Sequence, residues 1–240
     1  MAHSQGMQTV GHNLSNASTE GYSRQRVELK PFDPIYMPGL NREETAGQLG
    51  QGVTAERVER IRDMILEERI VGQANGQGYW DSRDKYLLMV EQVYNEPTEN
   101  SVRTLMDHFW ESWQEVSMFP SQFSARRSAL ERGQALLDGI HTRFDALSEI
   151  RNMLETDIQV SVGRANNILN DIAELNDQIV RIKAAGDNPN DLLDRRDLLV
   201  KELSGLLDIT VDNRDADEFL IHTGGLHLLQ GREVHPLGLE

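Results

Sequence analysis

Cysteine is absent from the chain, which removes disulfide frameworks, thiol nucleophiles and thiolate metal sites from consideration. No apolar run approaches the roughly 18 residues that a membrane-crossing helix requires. The first ten residues are polar and lack the apolar stretch of a cleaved secretory signal, so any passage out of the cytosol would use a route that does not read one. Positive charge is scarce. The 24 Lys and Arg residues face 39 Asp and Glu, a formal net charge of −15. Phosphate neutralisation needs clustered Lys and Arg, so this deficit argues against nucleic acid and against an anionic membrane surface as partners. The Gly-x-Ser-x-Gly elbow, the phosphate-binding loop, His-Glu-x-x-His and the dinucleotide fingerprint are also missing. No catalytic, cofactor-binding or metal-binding residue is therefore nominated, and no enzyme activity is expected. Hydrophobic residues form 38% of the 240, with a mean hydropathy of −0.52, which suits long helices with much exposed surface better than a compact enzyme.

What the chain does have is one long periodic run. From Ser121 to Ala185 there is no proline, and the glycines are Gly133, Gly139 and Gly163. From Phe144 the apolar residues recur in steps of three or four, through Leu147, Ile150, Leu154, Ile158 and Val162 to Ala165, Ile168, Ile172, Leu175, Ile179 and Ile182. The mean step is close to 3.5, the period of a seam between supercoiled helices. If wholly helical, the run is a rod of roughly 95 Å at about 1.5 Å per residue. It needs a partner to cover its seam. Two candidates lie within the chain. Before Pro120, Ser101–Met118 carries Leu105, Phe109, Trp110, Trp113 and Val116 at helical spacing, an aromatic stripe that reads as packing against the rod rather than as a stacking platform. Thr98 and Asn100 are its candidate caps, and Ser121 caps the rod. After the rod, Gly186 stops the helix. Asn188-Pro189 restarts one, with Asn188 as cap and Pro189 at the first position. Leu192, Leu193, Leu198, Leu199, Leu203 and Leu206 then give it an apolar face that turns back as a helical hairpin. The charged side chains Asp191, Asp194, Arg195, Arg196 and Asp197 read as ion pairs on a solvated face, each worth about 0–1 kcal/mol. The seam is thus expected to be buried internally, as the spine of an antiparallel bundle.

The flanking segments are shorter. Met1–Asn16 has Met7, Val10 and Leu14 on one helical face and no capping residue before it, and is expected to begin within a longer helix. The Asn, Ser and Thr residues that follow compete for backbone hydrogen bonds, and Gly21 supplies a positive φ for the turn into an alternating strand at Arg24–Leu29. Asn13-Leu14-Ser15 and Asn16-Ala17-Ser18 match the glycosylation pattern, but with no secretory signal they are read as chance. Pro31–Gly52 reads as an irregular flap between two strands, and Val53–Ile61 as a strand passing into a helix that runs to Tyr94. Gly72, Gly76 and Gly78 weaken that helix and suggest a bend or a close helix approach. From Asp208 the period falls to two, with strands at 209–211, 219–222 and 226–229. Asp212, Asp215, Asp217 and Glu218 read as a solvated turn, and His222 with His227, lacking a third ligand, is not read as a zinc site.

Four of these stretches resemble one family. Asn13-x-x-Asn16 followed by Gly21-Tyr22-Ser23-Arg24-Gln25 is similar to the N-terminal signature of flagellar axial proteins. Phe109–Gln114, Leu175–Ile179 and Asn190-Asp191-Leu192-Leu193-Asp194-Arg195-Arg196-Asp197-Leu198-Leu199 resemble, in order, segments of the flagellar hook-associated protein 1 family, whose members join hook to filament. The resemblance implies a structural subunit that packs with copies of itself in a ring, with hook protein, and with the next hook-associated protein or flagellin. It also implies export to the flagellum without a cleaved signal peptide, helped by the flagellar export apparatus and a chaperone, in a chain truncated here at both ends. The residues that it marks for subunit interaction are Asn13, Asn16, Gly21, Tyr22, Arg24 and Gln25. Those that it marks for the hairpin are Leu192, Leu193, Asp194, Arg196 and Asp197. The rival readings are another axial subunit, of hook or rod, and a generic coiled-coil scaffold. The expected fold is mainly α, an elongated antiparallel helical bundle or coiled coil with a long central helix and short β-hairpins near 24–60 and 208–230. The expected domains are 1–60 (axial-type helix, Asn-rich turn and β-flap), 61–207 (helical bundle) and 208–240 (the start of a β-rich domain).

Overall fold

The structure, a computed structural model, describes residues 2–32, 52–94, 100–213 and 219–239. The fold is mainly α, with one long central helix and two small antiparallel sheets. Helix α1 (Ala2–Ser15) leads into strands β1 (Gln25–Pro31) and β2 (Val53–Arg60). Helices α2 (Met64–Tyr94), α3 (Val102–Met118), α4 (Phe123–Ala184) and α5 (Asn190–Ser204) follow. The described chain ends in β3 (Thr210–Asp212), β4 (Leu220–Thr223), β5 (Leu226–Gln230) and β6 (Glu233–Val234). Strands β1 and β2 pair antiparallel from Gln25–Arg60 to Pro31–Val53, with a bulge between Glu28 and Leu29. Strands β3 to β6 form a four-stranded meander. Its β4–β5 turn is Gly224-Gly225, both at positive φ (53° and 86°), as a two-residue hairpin turn demands.

The residues divide into two compact units, one built from Met1–Gln77 and Arg164–Gly238, the other from Gly78–Gly163. In the first, α4 contributes Ala165, Ile168, Leu169, Ile172 and Ala173 to a buried cluster. Val200 and Leu203 of α5, then Ile209, Phe219, Ile221, Leu228 and Leu229 around the meander, close over them. Each fully buried Leu or Ile contributes about 1.5–3 kcal/mol. Helix α5 runs antiparallel to α4, since Arg196 reaches Asn176 while Glu202 lies beside Arg164. In the second unit α3 packs on the first part of α4. Gly139 and Gly133 make room there for Leu105 and Phe109, whose side chains lie 2.5 Å and 3.4 Å from where a Cβ would stand. Lys85 and Tyr86 of α2 both bond Asp157 of α4.

Several expectations need correction. The seam is buried as the spine of the fold only from Ala165 onward. Phe144 and Ile158 are 67% and 44% exposed. The reason is length, because a 15-residue α5 spans about 22 Å and cannot cover a 62-residue helix. The aromatic stripe is core only in part, with Trp110 and Trp113 at 59% and 56% exposed. Helix α2 runs unbroken through Gly72, Gly76 and Gly78, and nothing approaches Gly72 or Gly76 within 4 Å. It starts at Met64 rather than growing out of β2, because Asp63 caps it by accepting from Ile65 N and Leu66 N at 3.0 and 3.3 Å. Ser101, not Asn100, caps α3, accepting from Thr104 N at 3.2 Å. Helix α4 begins at Phe123, two residues beyond Ser121. Before α5 the cap position is Pro189, and the Asn188 side chain instead donates to Val58 O. Gly186, at φ 90°, does stop α4. The flap at 33–51, Pro97, Thr98 and Glu99, and Asp215, Asp217 and Glu218 lie outside the described residues.

Candidate functional site

The two stretches singled out in the sequence, Asn13–Gln25 and Leu192–Asp197, meet in the first unit. Asn13 closes the turn after α1. Its Oδ1 accepts from Gln25 N and Tyr22 Oη, each at 2.8 Å, and its Nδ2 donates to Gln25 O at 2.9 Å. One side-chain amide thus supplies both hydrogen bonds that a neighbouring strand would give Gln25. Tyr22 uses its single proton on Asn13, so His12 Nδ1, 3.0 Å away, is the donor to Tyr22 Oη. Burial, then the charges of Asp191 and Asp194, raise the Tyr22 pKa and keep it a neutral phenol. Asn16 finishes the helix end, donating to His12 O at 3.0 Å and accepting from Thr19 Oγ1 at 3.3 Å. Gly21 takes φ 78° directly above Leu198, whose Cβ would lie 3.1 Å from an added Cβ. Arg24 is exposed, and its carbonyl accepts from Ile61 N at 2.8 Å.

Helix α5 answers with carboxylates. Asp194 is 5% exposed. Its Oδ2 accepts from Ser23 N and its Oδ1 from Arg60 Nη1, each at 2.8 Å. Asp197 Oδ2 accepts from Arg60 Nη1 at 2.7 Å and also from Arg62 Nη1. Arg62 in turn bonds Glu67 Oε1 through Nε at 2.9 Å. Asp191 Oδ1 accepts from Gln25 Nε2 at 2.9 Å, and Asn190 Nδ2 donates to Val58 O at 2.9 Å. Burial works against the Arg60 charge, but Asp197 and Asp194 more than offset it and raise its pKa. Leu192 and Leu193 are half-buried.

Arg196 points elsewhere. It is 2% exposed, donates from Nη1 to Asn176 Oδ1 at 3.1 Å and from Nη2 to Asn213 Oδ1 at 3.4 Å, and lies 3.9 Å over the Phe219 ring. Burial lowers its pKa to about 10, with Asp197 opposing and Arg60 adding to the shift. Asn176 passes the link on to the meander by donating to Gly231 O at 2.7 Å. The expectation of a solvated charged face on α5 therefore holds for Asp191 and Arg195, which are exposed, and fails for Asp194 and Arg196. Asp194 and Arg196 are buried because β1, β2 and the meander cover that helix, and neither cover is visible in the helix's own sequence. Arg60 and Arg62 were not singled out by sequence reasoning. They sit at and just past the end of a strand, and only the fold places them opposite carboxylates more than 130 positions later.

Among the described residues, no three His, Cys, Asp or Glu side chains converge as metal ligands. His222 and His227 pair across β4 and β5 with ring centroids 6.3 Å apart. No helix of the described residues is long and apolar enough to cross a membrane.

Residues 87–240 match the family described as the flagellar hook-associated protein FlgK helical domain. The chain is 37% identical over 205 residues to flagellar hook-associated protein 1 of Bacillus subtilis, covering 85% of this chain and 40% of that protein. To the protein of the same name from Salmonella typhimurium it is 27% identical over 234 residues, covering 96% of this chain and 41% of that one. The chain thus spans about 40% of the length of these curated relatives. Among solved structures, the flagellar hook junction protein FlgK from Burkholderia pseudomallei superposes with a TM-score of 0.61 at 26% identity, over 70% of this chain and 30% of that one.

Proposed function

The chain belongs to the flagellar hook-associated protein FlgK family, and on that premise we propose that it is part of a structural subunit joining hook to filament in the bacterial flagellum. The family is a structural one, and the proposal gives this chain no catalytic role. Its work is packing against neighbouring axial subunits. The observation that carries this reading is the outer face of α1, where Met7, Val10 and Leu14 stand 76%, 66% and 77% exposed at helical spacing. Burying such a face against a neighbour yields about 25 cal/mol per Å². The Asn13 clasp supports the reading, because it fixes the direction in which α1 leaves the fold.

The proposed partners are copies of the same chain in a ring, hook protein, and the next hook-associated protein or flagellin. The flagellar export apparatus and a chaperone act before assembly. The proposed location is the flagellum, reached without a cleaved signal peptide. In this reading Asn13, Asn16, Gly21, Tyr22, Arg24 and Gln25 set the subunit-facing turn, and Leu192, Leu193, Asp194, Arg196 and Asp197 set the hairpin beneath it. The domain division that accompanies it is 1–60, 61–207 and 208–240.

The test replaces Met7, Val10 and Leu14 together by Asp in the full-length protein of a motile strain. The expected result is secreted, folded protein and hooks that carry no filaments under the electron microscope. Normal filaments on those hooks would overturn the proposal. Filaments that survive deletion of residues 13–25 would favour a generic scaffold instead.

A further inference from the structure

The described residues of 2–62 form an arm that contributes none of the residues of the apolar cluster of α4, α5 and the meander. Its buried residues among those described are Ala2, Thr9, Ser23 and Gln25. Its hold on α5 is mostly polar and runs through three carboxylates, Asp191, Asp194 and Asp197, and the Asn190 amide, with Gly21 seated on Leu198. Clefts flank this contact on two sides, one lined by Thr9, His12, Ile182 and Asp191, the other by Tyr22, Arg62, Leu66 and Asp197. A polar junction bordered by clefts can open without exposing the apolar core, which is the character of segments that unfold locally.

Across the same turn of α5 lies a second observation. Arg196 Nε is buried and has no hydrogen-bond partner among the described residues. A buried donor left unpaired is costly. Asp197 Oδ1 is 4.0 Å from it, just beyond hydrogen-bond reach, while Asp197 Oδ2 is held by Arg60 and Arg62. One carboxylate therefore stands between the two arm guanidinia and a buried third whose Nε alone has no hydrogen-bond partner among the described residues.

We infer that Asp197 is an exchangeable carboxylate, bound to Arg60 and Arg62 while the arm is docked and to Arg196 Nε when the arm is released. The shift needed is about 1 Å, within the reach of an Asp side chain and α5 without unfolding. The exchange turns the 4.0 Å ion pair of Asp197 with Arg196 into a hydrogen-bonded one as the arm lets go. It also satisfies the orphaned donor, so release costs the remaining fold less than the lost contacts alone would. The exchange does not depend on which neighbours the arm meets.

The test uses the whole 240-residue chain, which has no native cysteine to compete for labels. Spin labels on Val10→Cys and Glu174→Cys report the arm–core distance, and hydrogen exchange of the Leu228 and Leu229 amides reports the core. In the Arg60→Gln/Arg62→Gln chain the label distance should broaden while core protection stays. In that released chain, Asp197→Asn should lower core protection on the order of tenfold, and this loss should vanish when Arg196→Met is also present. If the Arg196→Met chain does not fold, the Asp197→Asn comparison in the released chain decides alone. An arm that stays docked, an Asp197→Asn change without effect on core protection, or a loss that persists with Arg196→Met would each overturn the inference.

Discussion

Single residues hold the turn and its seat together, and most of the residues involved are polar. Gly21→Ala should lower stability by about 1–2 kcal/mol, because an L side chain at φ 78° is strained and its Cβ would press on Leu198 at 3.1 Å. A urea midpoint shift at unchanged slope would show it. Asp194→Asn removes a buried charge that serves both Ser23 N and Arg60. Arg60 keeps Asp197, so the expected loss is near the low end for a broken buried pair, about 3 kcal/mol. Chemical denaturation read at the β1–β2 hairpin measures it. At this scale the sequence was partly legible. Asn13, Tyr22 and Asp194 stood out in a motif, and each proves to make specific bonds. Arg60 and Arg62 did not, since a strand-end arginine looks the same whether or not a carboxylate waits for it.

Helices divide by what their glycines face. Gly72 and Gly76 meet nothing within 4 Å, so alanine at either should stabilise α2 by about 1 kcal/mol through helix propensity. Gly139→Ala should do the opposite, because Leu105 Cδ1 would lie 2.5 Å from the new Cβ. Thermal melts of the three single variants, followed by circular dichroism, separate the two signs. Between α2 and α4, Asp157 has its pKa lowered from 3.8 by its hydrogen bonds from Lys85 and Tyr86. A depressed carboxylate contributes stability that is complete above its unfolded value and is lost as pH falls through the lower folded one. A carboxyl NMR titration should therefore place the Asp157 midpoint below 3.8, and Lys85→Met should bring it back up. Helix existence was plain from periodicity, whereas caps were not. Asn100, Ser121 and Asn188 all had capping side chains, yet where a helix starts depends on which neighbouring backbone the chain has reached.

For the molecule as a whole, stability is unevenly distributed. The large buried aliphatic side chains around Ile172, Leu203 and Leu229 belong to the unit of Met1–Gln77 and Arg164–Gly238. Among the described residues of the Gly78–Gly163 unit, the buried apolar ones are Ala125 and Ala129. Far less apolar area leaves water there, so this second unit should open first. All three tryptophans, Trp80, Trp110 and Trp113, lie in it. Tryptophan fluorescence should therefore report a lower denaturant midpoint than hydrogen exchange of the β5 amides, and coincident midpoints would contradict this distribution.

By itself the sequence determined the class of the protein, mainly helical and acidic, and through four ordered motifs its family resemblance. Period and composition are local properties, and a 62-residue helix with an apolar repeat declares itself without knowledge of its neighbours. Only the tertiary structure decided which half of that repeat is buried, because a short α5 and a small meander can cover only what they reach. It also decided that two charges of α5, Asp194 and Arg196, lie inside. A helix carrying Asp194, Arg196 and Asp197 reads as solvated until β1, β2 and the meander close over it. Burial is set by chain segments distant in sequence, and that information is not carried by the pattern of the helix itself.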